Sequence, residues 1–350
     1  MLHRVRRVAK SGSAHRHPAH DPDRSAHGVP ASTALRASAF AENTESMALF
    51  HPRLLALLAM ALTVSIYGGQ FVSVRLGYQS DLTPYDIAAL RFLFAGVVML
   101  PFFLTQGGLV DCMGMGWRRG LAIVVLGGAP LTVFSNIGLG YAPAAHAAAI
   151  QPGMVAVTAT LFAYLSAGRR VPGGVVAGFA VVLGGLAAIA LAGSRGEAGQ
   201  GTVVGDLIFI ICGLAWGFFT SLCARWKVGS LAGAAVVSTV SMLTYVPIYV
   251  AFLTPRIMEA PWSVILFHGI NQGLLNVVVG ILLWTYGTRV LGVAVAARFP
   301  PVIPVLGTLI GIPVLGEVPG PVAAIGVVAI VAGLAIVAIV GARAARRLEG

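Results

Sequence analysis

The chain has 350 residues, of which 57% are hydrophobic and only 10% are charged. Soluble globular domains carry about 25% charged residues, so this composition excludes an ordinary soluble domain and predicts a multi-pass membrane protein. The formal net charge is +11, but 8 of the 23 Lys and Arg residues lie in residues 1–53 and most of the others flank apolar segments. Such a distribution sets membrane topology, and we expect no nucleic-acid partner.

Residues 1–53 are the first predicted element. They are rich in Arg, His, Ser, Ala and Pro, and they lack the apolar region of a secretory signal peptide. We therefore predict a basic, disordered extension. The sequence is compatible with a natural start at either Met1 or Met47.

Ten apolar spans follow, separated by charged and turn-forming residues. Five of them make a first half, residues 54–193, and five make a second half, residues 204–341, before a basic tail at residues 342–350. The predicted limits of the spans are 54–74, 84–104, 119–138, 143–166, 174–193, 204–224, 231–253, 262–286, 292–315 and 320–341.

Proline and glycine recur in the two halves at a spacing of 148 residues. These residues fix backbone geometry, so their spacing indicates an internal repeat. The matched pairs are Pro152 with Pro300, Gly168 with Gly316, Gly178 with Gly326, and Gly185 with Gly333. Because each half has an odd number of spans, the halves must cross the membrane in opposite directions. The predicted fold is an all-α integral membrane protein of ten transmembrane helices, arranged as two inverted five-helix repeats.

The charges in the loops predict the orientation. With the N-terminus inside, the inner loops carry seven Lys and Arg residues and the outer loops carry three. The inner residues are Arg118, Arg119, Arg169, Arg170, Arg225, Lys227 and Arg289, and the outer ones are Arg75, Arg195 and Arg256. We predict a protein of the cytoplasmic (inner) membrane with both termini in the cytoplasm and the lipid bilayer around it.

The chain lacks the motifs of an enzyme or a metal site. Its three cysteines, Cys112, Cys212 and Cys223, have no ligand spacing, and no nucleotide-binding or hydrolase motif occurs. We therefore expect no catalytic residue, no metal and no cofactor. Transport would run on a gradient or by exchange.

Several motifs resemble those of one transporter family. Tyr67-Gly-Gly-Gln-Phe71 followed by Arg75, the segment from Pro84 to Arg91, and Leu315-Gly316-Glu317 after Pro300 are similar to EamA-type transporters of the drug/metabolite transporter superfamily. The segment from Asp206 to Gly217 resembles the opening of the second repeat, and the resemblance covers about residues 54–341.

This resemblance implies a ten-helix carrier with two repeats that moves small metabolites or drugs, usually outward. It does not imply one substrate. The first repeat has Gly168-Arg169 where the second has Gly316-Glu317, so a role shared by paired acidic residues is not expected.

Two arginines inside predicted spans are candidate substrate-binding residues, because a charge at bilayer depth is costly. Arg298 lies deepest, two residues before Pro300 in span nine. It would bind a carboxylate or phosphate there, or else extend to the interface. Arg91 in span two would either lock helices together or face the substrate. Asp86, five residues earlier, is poorly spaced to pair with it.

Other polar and aromatic residues are further candidates. His146 and His268, near the outer ends of spans four and eight, would couple transport to protons or make interface hydrogen bonds. Tyr67 and Trp216 would stack on a solute or anchor the interface. The uncharged polar residues would line a cavity or join neighbouring helices. They are Asn136, Gln151, Asn271, Gln272 and Asn276.

Prolines in spans four and nine would break the helices and act in gating. They are Pro152, Pro300, Pro301 and Pro304. Glycines two turns apart in spans five and ten would share one helix face and serve either close packing or a homodimer. They are Gly178, Gly185, Gly326 and Gly333.

The leading hypothesis is a secondary transporter that exports a small organic metabolite or drug by alternating access between the repeats. One alternative is an exchanger or importer of anionic or phosphorylated solutes. Another is a membrane subunit that transports nothing.

Overall fold

The computed structural model describes the backbone of residues 31–194 and 201–349, with side chains described within residues 52–192, 201–292 and 295–343. The chain divides into two compact units, Met1–Phe50 and His51–Gly350. All regular structure in the described residues is helical. Helix begins at Ala31, inside the predicted disordered extension. The segment that starts at Ala31 is rich in Ala, which favours helix. Residues 1–30 lie outside the described part.

Nine helical segments are long and apolar enough to cross a membrane, and one shorter apolar segment, Pro300–Leu315, accompanies them among the described residues. The long helices are Ala31–Gln79, Pro84–Thr105, Ala144–Ser166, Gly173–Ser194, Thr202–Arg225, Ser230–Phe252 and Pro321–Glu349. Span three is Trp117–Gly127 followed by Ala129–Tyr141, and span eight is Trp262–His268, Gly269–Val279 and Gly280–Leu291. Span nine is the short 3-10 helix Pro300–Val302 followed by the helix Ile303–Leu315. The remaining short helical segments are Gly108–Asp111, Ile257–Glu259 and Val293–Ala296. The predicted fold class of ten helices in two repeats is confirmed.

Local sequence explains where span two begins. Thr83 caps the helix, because its side chain accepts a hydrogen bond from the backbone N–H of Asp86 and Asp86 accepts one in return from the Thr83 backbone. Pro84 occupies the first helical turn, where its missing N–H costs nothing. The predicted start at residue 84 is the observed one.

Spans eight and nine depart from regular α-helix. Residues Gly269–Val279 form a π-helix of 11 residues. Span eight ends at Gly292, whose φ of 82° suits glycine. The predicted span nine, 292–315, is wrong over its first eight residues. Only Val293–Ala296 are helical there, because Gly292 and the Pro300-Pro301 pair prevent a continuous helix, and the span continues from Pro300.

The loops after spans one, three, seven and nine meet at one end of the bundle. Arg75 at the end of span one contacts Leu139 in span three and Glu317 after span nine. Asp86 accepts a hydrogen bond from the Arg256 backbone, which follows span seven. We call this end the first-loop side and the opposite end the second-loop side.

Corresponding helices of the two repeats make corresponding contacts. Gly68 of span one lies against Leu306 of span nine, where an added Cβ would come 3.1 Å from the Leu306 Cβ. Gly217 of span six lies against Thr158 of span four, and Thr158 and Leu306 are 148 residues apart. Spans two and seven, and spans five and ten, pack as pairs. The repeats are therefore related by an approximate two-fold.

The glycines of spans five and ten bring the two helices into backbone contact. A Cβ on Gly185 would lie 2.6 Å from the Gly326 carbonyl oxygen, and one on Gly178 would lie 3.2 Å from that of Gly333. Of the two predicted roles, the structure has close packing within one chain. A homodimer would need another surface.

Candidate functional site

A polar cluster joins the two repeats inside the bundle. The Arg91 guanidinium in span two donates hydrogen bonds to the side-chain oxygens of Gln70 in span one and Gln272 in span eight, both at 3.3 Å. The Gln272 amide donates in turn to the Gln70 backbone carbonyl at 2.8 Å. Two of the three helices belong to the first repeat and one to the second, so the cluster crosses the boundary between them.

The charge of Arg91 is not neutralised by the groups that it contacts. Both of its hydrogen-bond acceptors are uncharged amides, and no ion pair to it occurs among the described residues. Within the part of the chain that the structure describes, its buried Nε has no hydrogen-bond partner, and neither has the buried Nδ2 of Asn276, one turn beyond Gln272. Such unsatisfied donors are costly in a bilayer. They are therefore candidate contacts for an anionic group.

The π-helix supplies the second repeat's part of this cluster. Gln272 and Asn276 both lie within Gly269–Val279 and both are buried. Tyr67 packs at the end of this segment, where a Cβ on Gly280 would lie 2.8 Å from its ring. Single π-turns recur at functional sites because they redirect side chains. We define the Arg91 cluster as Tyr67, Gln70, Arg91, Gln272 and Asn276.

Asp86 does not pair with Arg91, although it lies in the same helix. It is fully buried, and its two oxygens accept hydrogen bonds from the Thr83 backbone and hydroxyl, the Tyr249 hydroxyl and the Arg256 backbone. These bonds fasten span two to span seven. Asp86 is therefore a structural residue at the first-loop side.

A second inter-repeat contact lies at the first-loop side. The Arg75 Nη2 lies 2.7 Å from the Glu317 Oε1, and the Arg75 Nη1 donates to the Leu139 carbonyl at 2.9 Å. The other Glu317 oxygen accepts from the backbone N–H of Ala144 at 2.9 Å, at the start of span four. A carboxylate at a helix N-terminus is favourable. We call these four residues the Arg75–Glu317 clasp.

His146 is half of a buried pair. Its Nδ1 lies 2.8 Å from the Asp206 Oδ1, and the two side chains are 2% and 4% exposed. The other oxygen, Asp206 Oδ2, is buried and has no hydrogen-bond partner among the described residues. The pair joins span four to span six, again across the two repeats. Asp206 was not among the candidates from sequence, because nothing local marks a partner 60 residues away.

His268 stands apart from that pair. It is 1% exposed at the end of Trp262–His268, and it lines a cavity at the first-loop side. No described residue forms a hydrogen bond with its buried Nδ1. Its ring meets the edge of Phe267 at 5.0 Å.

The prediction that Arg298 is the deepest charge in a span is wrong. It is exposed and lies in the turn between span eight and Pro300, because the helix that would have carried it inward stops at Gly292. The structure gives it no place in the Arg91 cluster. Pro300, Pro301 and Pro304 start span nine, and Pro152 lies within span four.

The other predicted residues are dispersed. Asn136 donates to the Pro84 carbonyl at 3.1 Å, and Gln151 donates to the Ser135 hydroxyl at 2.8 Å, so both join neighbouring helices. Trp216 is 36% exposed and packs on Phe219, and Asn271 is half-buried in the π-helix. Gln70 was not predicted, although it lies within the Tyr67–Phe71 motif that could have marked it.

Comparison with known proteins identifies relatives over most of the chain. The profile of the EamA-like transporter family matches residues 54–191 and 203–339. An "uncharacterized transporter" of Archaeoglobus fulgidus is 29% identical over 168 residues, 47% of this chain and 56% of the relative. The matched region thus spans little more than half of that protein.

Two further matches cover more of the chain. A protein of Streptantibioticus cattleyicolor named as a probable terminal-alkyne amino-acid exporter is 28% identical over 281 residues, 77% of this chain and 88% of the relative. A solved crystal structure shares the fold with a TM-score of 0.52 and 22% identity, covering 84% of this chain and 99% of that one.

Proposed function

Because this chain belongs to the EamA-like transporter family, we propose that it is a secondary transporter that exports a small organic solute carrying a carboxylate. The membrane would be the cytoplasmic membrane, with both termini inside, since the inner loops carry seven Lys and Arg residues against three outside. The solute would move by alternating access between the two repeats.

The observation that carries the proposal is the uncompensated guanidinium of Arg91 at the repeat boundary. A carboxylate there would satisfy the free Nε and gain a charge-assisted hydrogen bond. Asn276, one turn beyond Gln272 in span eight, supplies a second donor without a partner among the described residues. The name of the Streptantibioticus relative, an amino-acid exporter, supports the same class of solute.

A second candidate function rests on the same residue. Guanidinium groups bind phosphate as well as carboxylate, so exchange or import of anionic and phosphorylated solutes is the alternative. The direction of net transport distinguishes the two.

The inter-repeat contacts support alternating access. The Arg75–Glu317 clasp holds the two repeats together at the first-loop side, so release on that side requires the clasp to open. The His146–Asp206 pair crosses the same boundary. We propose that a change in its protonation couples transport to protons, with His268 as the other candidate.

Counterflow in proteoliposomes tests the proposal. The panel is L-propargylglycine, which is a terminal-alkyne amino acid, with its amide, its N-acetyl derivative, L-leucine and a hexose phosphate. A charged hydrogen bond contributes about 1.5–3 kcal/mol, so Arg91→Gln should slow flux of carboxylate solutes about 10- to 100-fold. Arg298→Gln is the matched control because Arg298 is exposed, and it should leave flux unchanged.

Three results would contradict the proposal. Equal flux in the Arg91 and Arg298 variants would show that Arg91 does not bind the solute. Preference for the hexose phosphate would favour the second candidate. No saturable flux of any panel member would favour a membrane subunit that transports nothing.

A further inference from the structure

A cavity of about 380 Å³ opens at the first-loop side between the end of span one and the start of span eight. Its polar lining comes from Gln79, Ser80, Ser263 and His268, and Leu76 and Phe267 form part of its apolar wall. The volume is within the range of small-molecule sites. None of these residues belongs to the Arg91 cluster.

His268 gives this cavity an unused polar group. The side chain is 1% exposed, and its ring makes no hydrogen bond to another described residue. Polar side chains in protein interiors are nearly always paired, so an imidazole that lines a cavity without a partner points to a ligand that supplies one. The ring packs closely against span one, because a Cβ on Gly77 would lie only 3.1 Å from the His268 Cε1.

The cavity and the Arg91 cluster lie on the same pair of helices. Span one carries Gln70 in the cluster and Gly77 against His268, about two turns apart. Span eight carries Gln272 in the cluster and His268 in the cavity, about one turn apart. The interface between spans one and eight therefore runs from the Arg91 cluster to the first-loop side.

The chemistry of the two sites differs. The cluster has an unpaired cation, whereas the polar side chains of the cavity carry no fixed charge. A carboxylate finds no cation in the cavity. An amino or hydroxyl group would have several acceptors there, namely the Gln79 carbonyl, the serine oxygens and, in one tautomer, the ring nitrogen of His268 other than its buried Nδ1.

We propose that this cavity is a second solute subsite, which holds the amino or hydroxyl end of an amphipathic solute on the first-loop side of the Arg91 cluster. The inference rests on the proposed function for the identity of the solute. The cluster takes the carboxylate first, and the cavity then takes the amino or hydroxyl group beside the apolar wall as the solute leaves.

Thiol labelling tests occupancy of the cavity. Ser263→Cys, exposed at the rim, and Val318→Cys, 73% exposed in another loop of the first-loop side, are each made in full-length chains carrying Cys223→Ser. Cys112 and Cys212 are buried, and burial raises the pKa of the Cys112 thiol, so their labelling by a membrane-impermeant maleimide is slow. L-Propargylglycine and its amide, which keep the amino group, should slow labelling of Ser263→Cys severalfold. The N-acetyl derivative, which lacks it, should not, and Val318→Cys should be unaffected.

Kinetics give the second measurement. His268→Ala should raise the KM for efflux of L-propargylglycine severalfold, and His268→Gln, which keeps a hydrogen-bonding group, should restore part of it. The proposal is overturned if all three solutes leave Ser263→Cys labelling unchanged, or if they slow both cysteines equally. If the amide protects although no solute is transported, the subsite stands and the proposed function fails. If solutes are transported but do not protect the cysteine, the proposed function stands and the subsite fails.

Discussion

The substitution Glu317→Gln tests how strongly the Arg75–Glu317 clasp holds the two repeats together. The Glu317 carboxylate accepts from the Arg75 guanidinium at 2.7 Å and from the Ala144 backbone N–H at 2.9 Å. Glutamine keeps one accepting oxygen and turns an amide NH2 toward the other donor, so one of these contacts is lost. A hydrogen bond to a charged group contributes about 1.5–3 kcal/mol, and a fully exposed ion pair well under about 1 kcal/mol. Because the two side chains are 31% and 16% exposed, we expect a loss of about 2 kcal/mol.

Unfolding of the purified protein in mixed detergent micelles by titration with a denaturing detergent measures this loss. A double-mutant cycle with Arg75→Gln should give a coupling energy of about 1–2 kcal/mol. Glu259→Gln is the matched control, because Glu259 is exposed in another loop of the same side, and it should change the free energy of unfolding by less than about 0.5 kcal/mol. Additive effects of the Glu317 and Arg75 substitutions would refute the clasp.

Two further substitutions have matched controls in neighbouring residues. Gly185→Ala would place a Cβ 2.6 Å from the Gly326 carbonyl oxygen, so spans five and ten must separate, and we expect a loss of about 1–3 kcal/mol in thermal unfolding. Gly184→Ala, where nothing lies within 4 Å, should be neutral or stabilising, and equal midpoints would contradict the close packing. Asp86→Asn turns an NH2 group toward hydrogen-bond donors and should cost about 2–4 kcal/mol by the same assay. Asp81→Asn in the exposed loop should not, and an unchanged Asp86→Asn protein would show that these bonds do not hold spans two and seven together.

The helical spans are the part of the fold that sequence predicts best, because a run of about 20 apolar residues has few other stable arrangements. The start of span two at Pro84 follows from a local capping box. Span nine was misjudged because hydrophobicity alone does not show that Gly292 and Pro300 interrupt the helix. Arg298 was therefore placed too deep, and the break moves it to an exposed turn.

The side-chain contacts between the repeats were beyond sequence reasoning. Arg75 and Glu317 are 242 residues apart, and His146 and Asp206 are 60 apart, so their pairing depends on how ten helices pack. Arg91 was singled out because a charge in an apolar helix needs a reason, and its role in binding stays a prediction. The π-helix of span eight leaves no periodic pattern that distinguishes it from α-helix, which is why the orientation of Gln272 was not foreseen.

The clasp has a consequence for the energies of the two end states of the transport cycle. Its two-fold counterpart at the second-loop side lacks the carboxylate, because Gly168-Arg169 occupies the place of Gly316-Glu317. Arg225, at the end of span six, lies two residues beyond the position that matches Arg75. Closing that side would bring arginine toward arginine, whereas closing the first-loop side brings arginine to glutamate. An exactly symmetric carrier would have end states of equal free energy. We expect this carrier to rest with the first-loop side shut and its binding site open to the second-loop side. The unequal charges of the duplicated halves would then determine the resting state of the cycle.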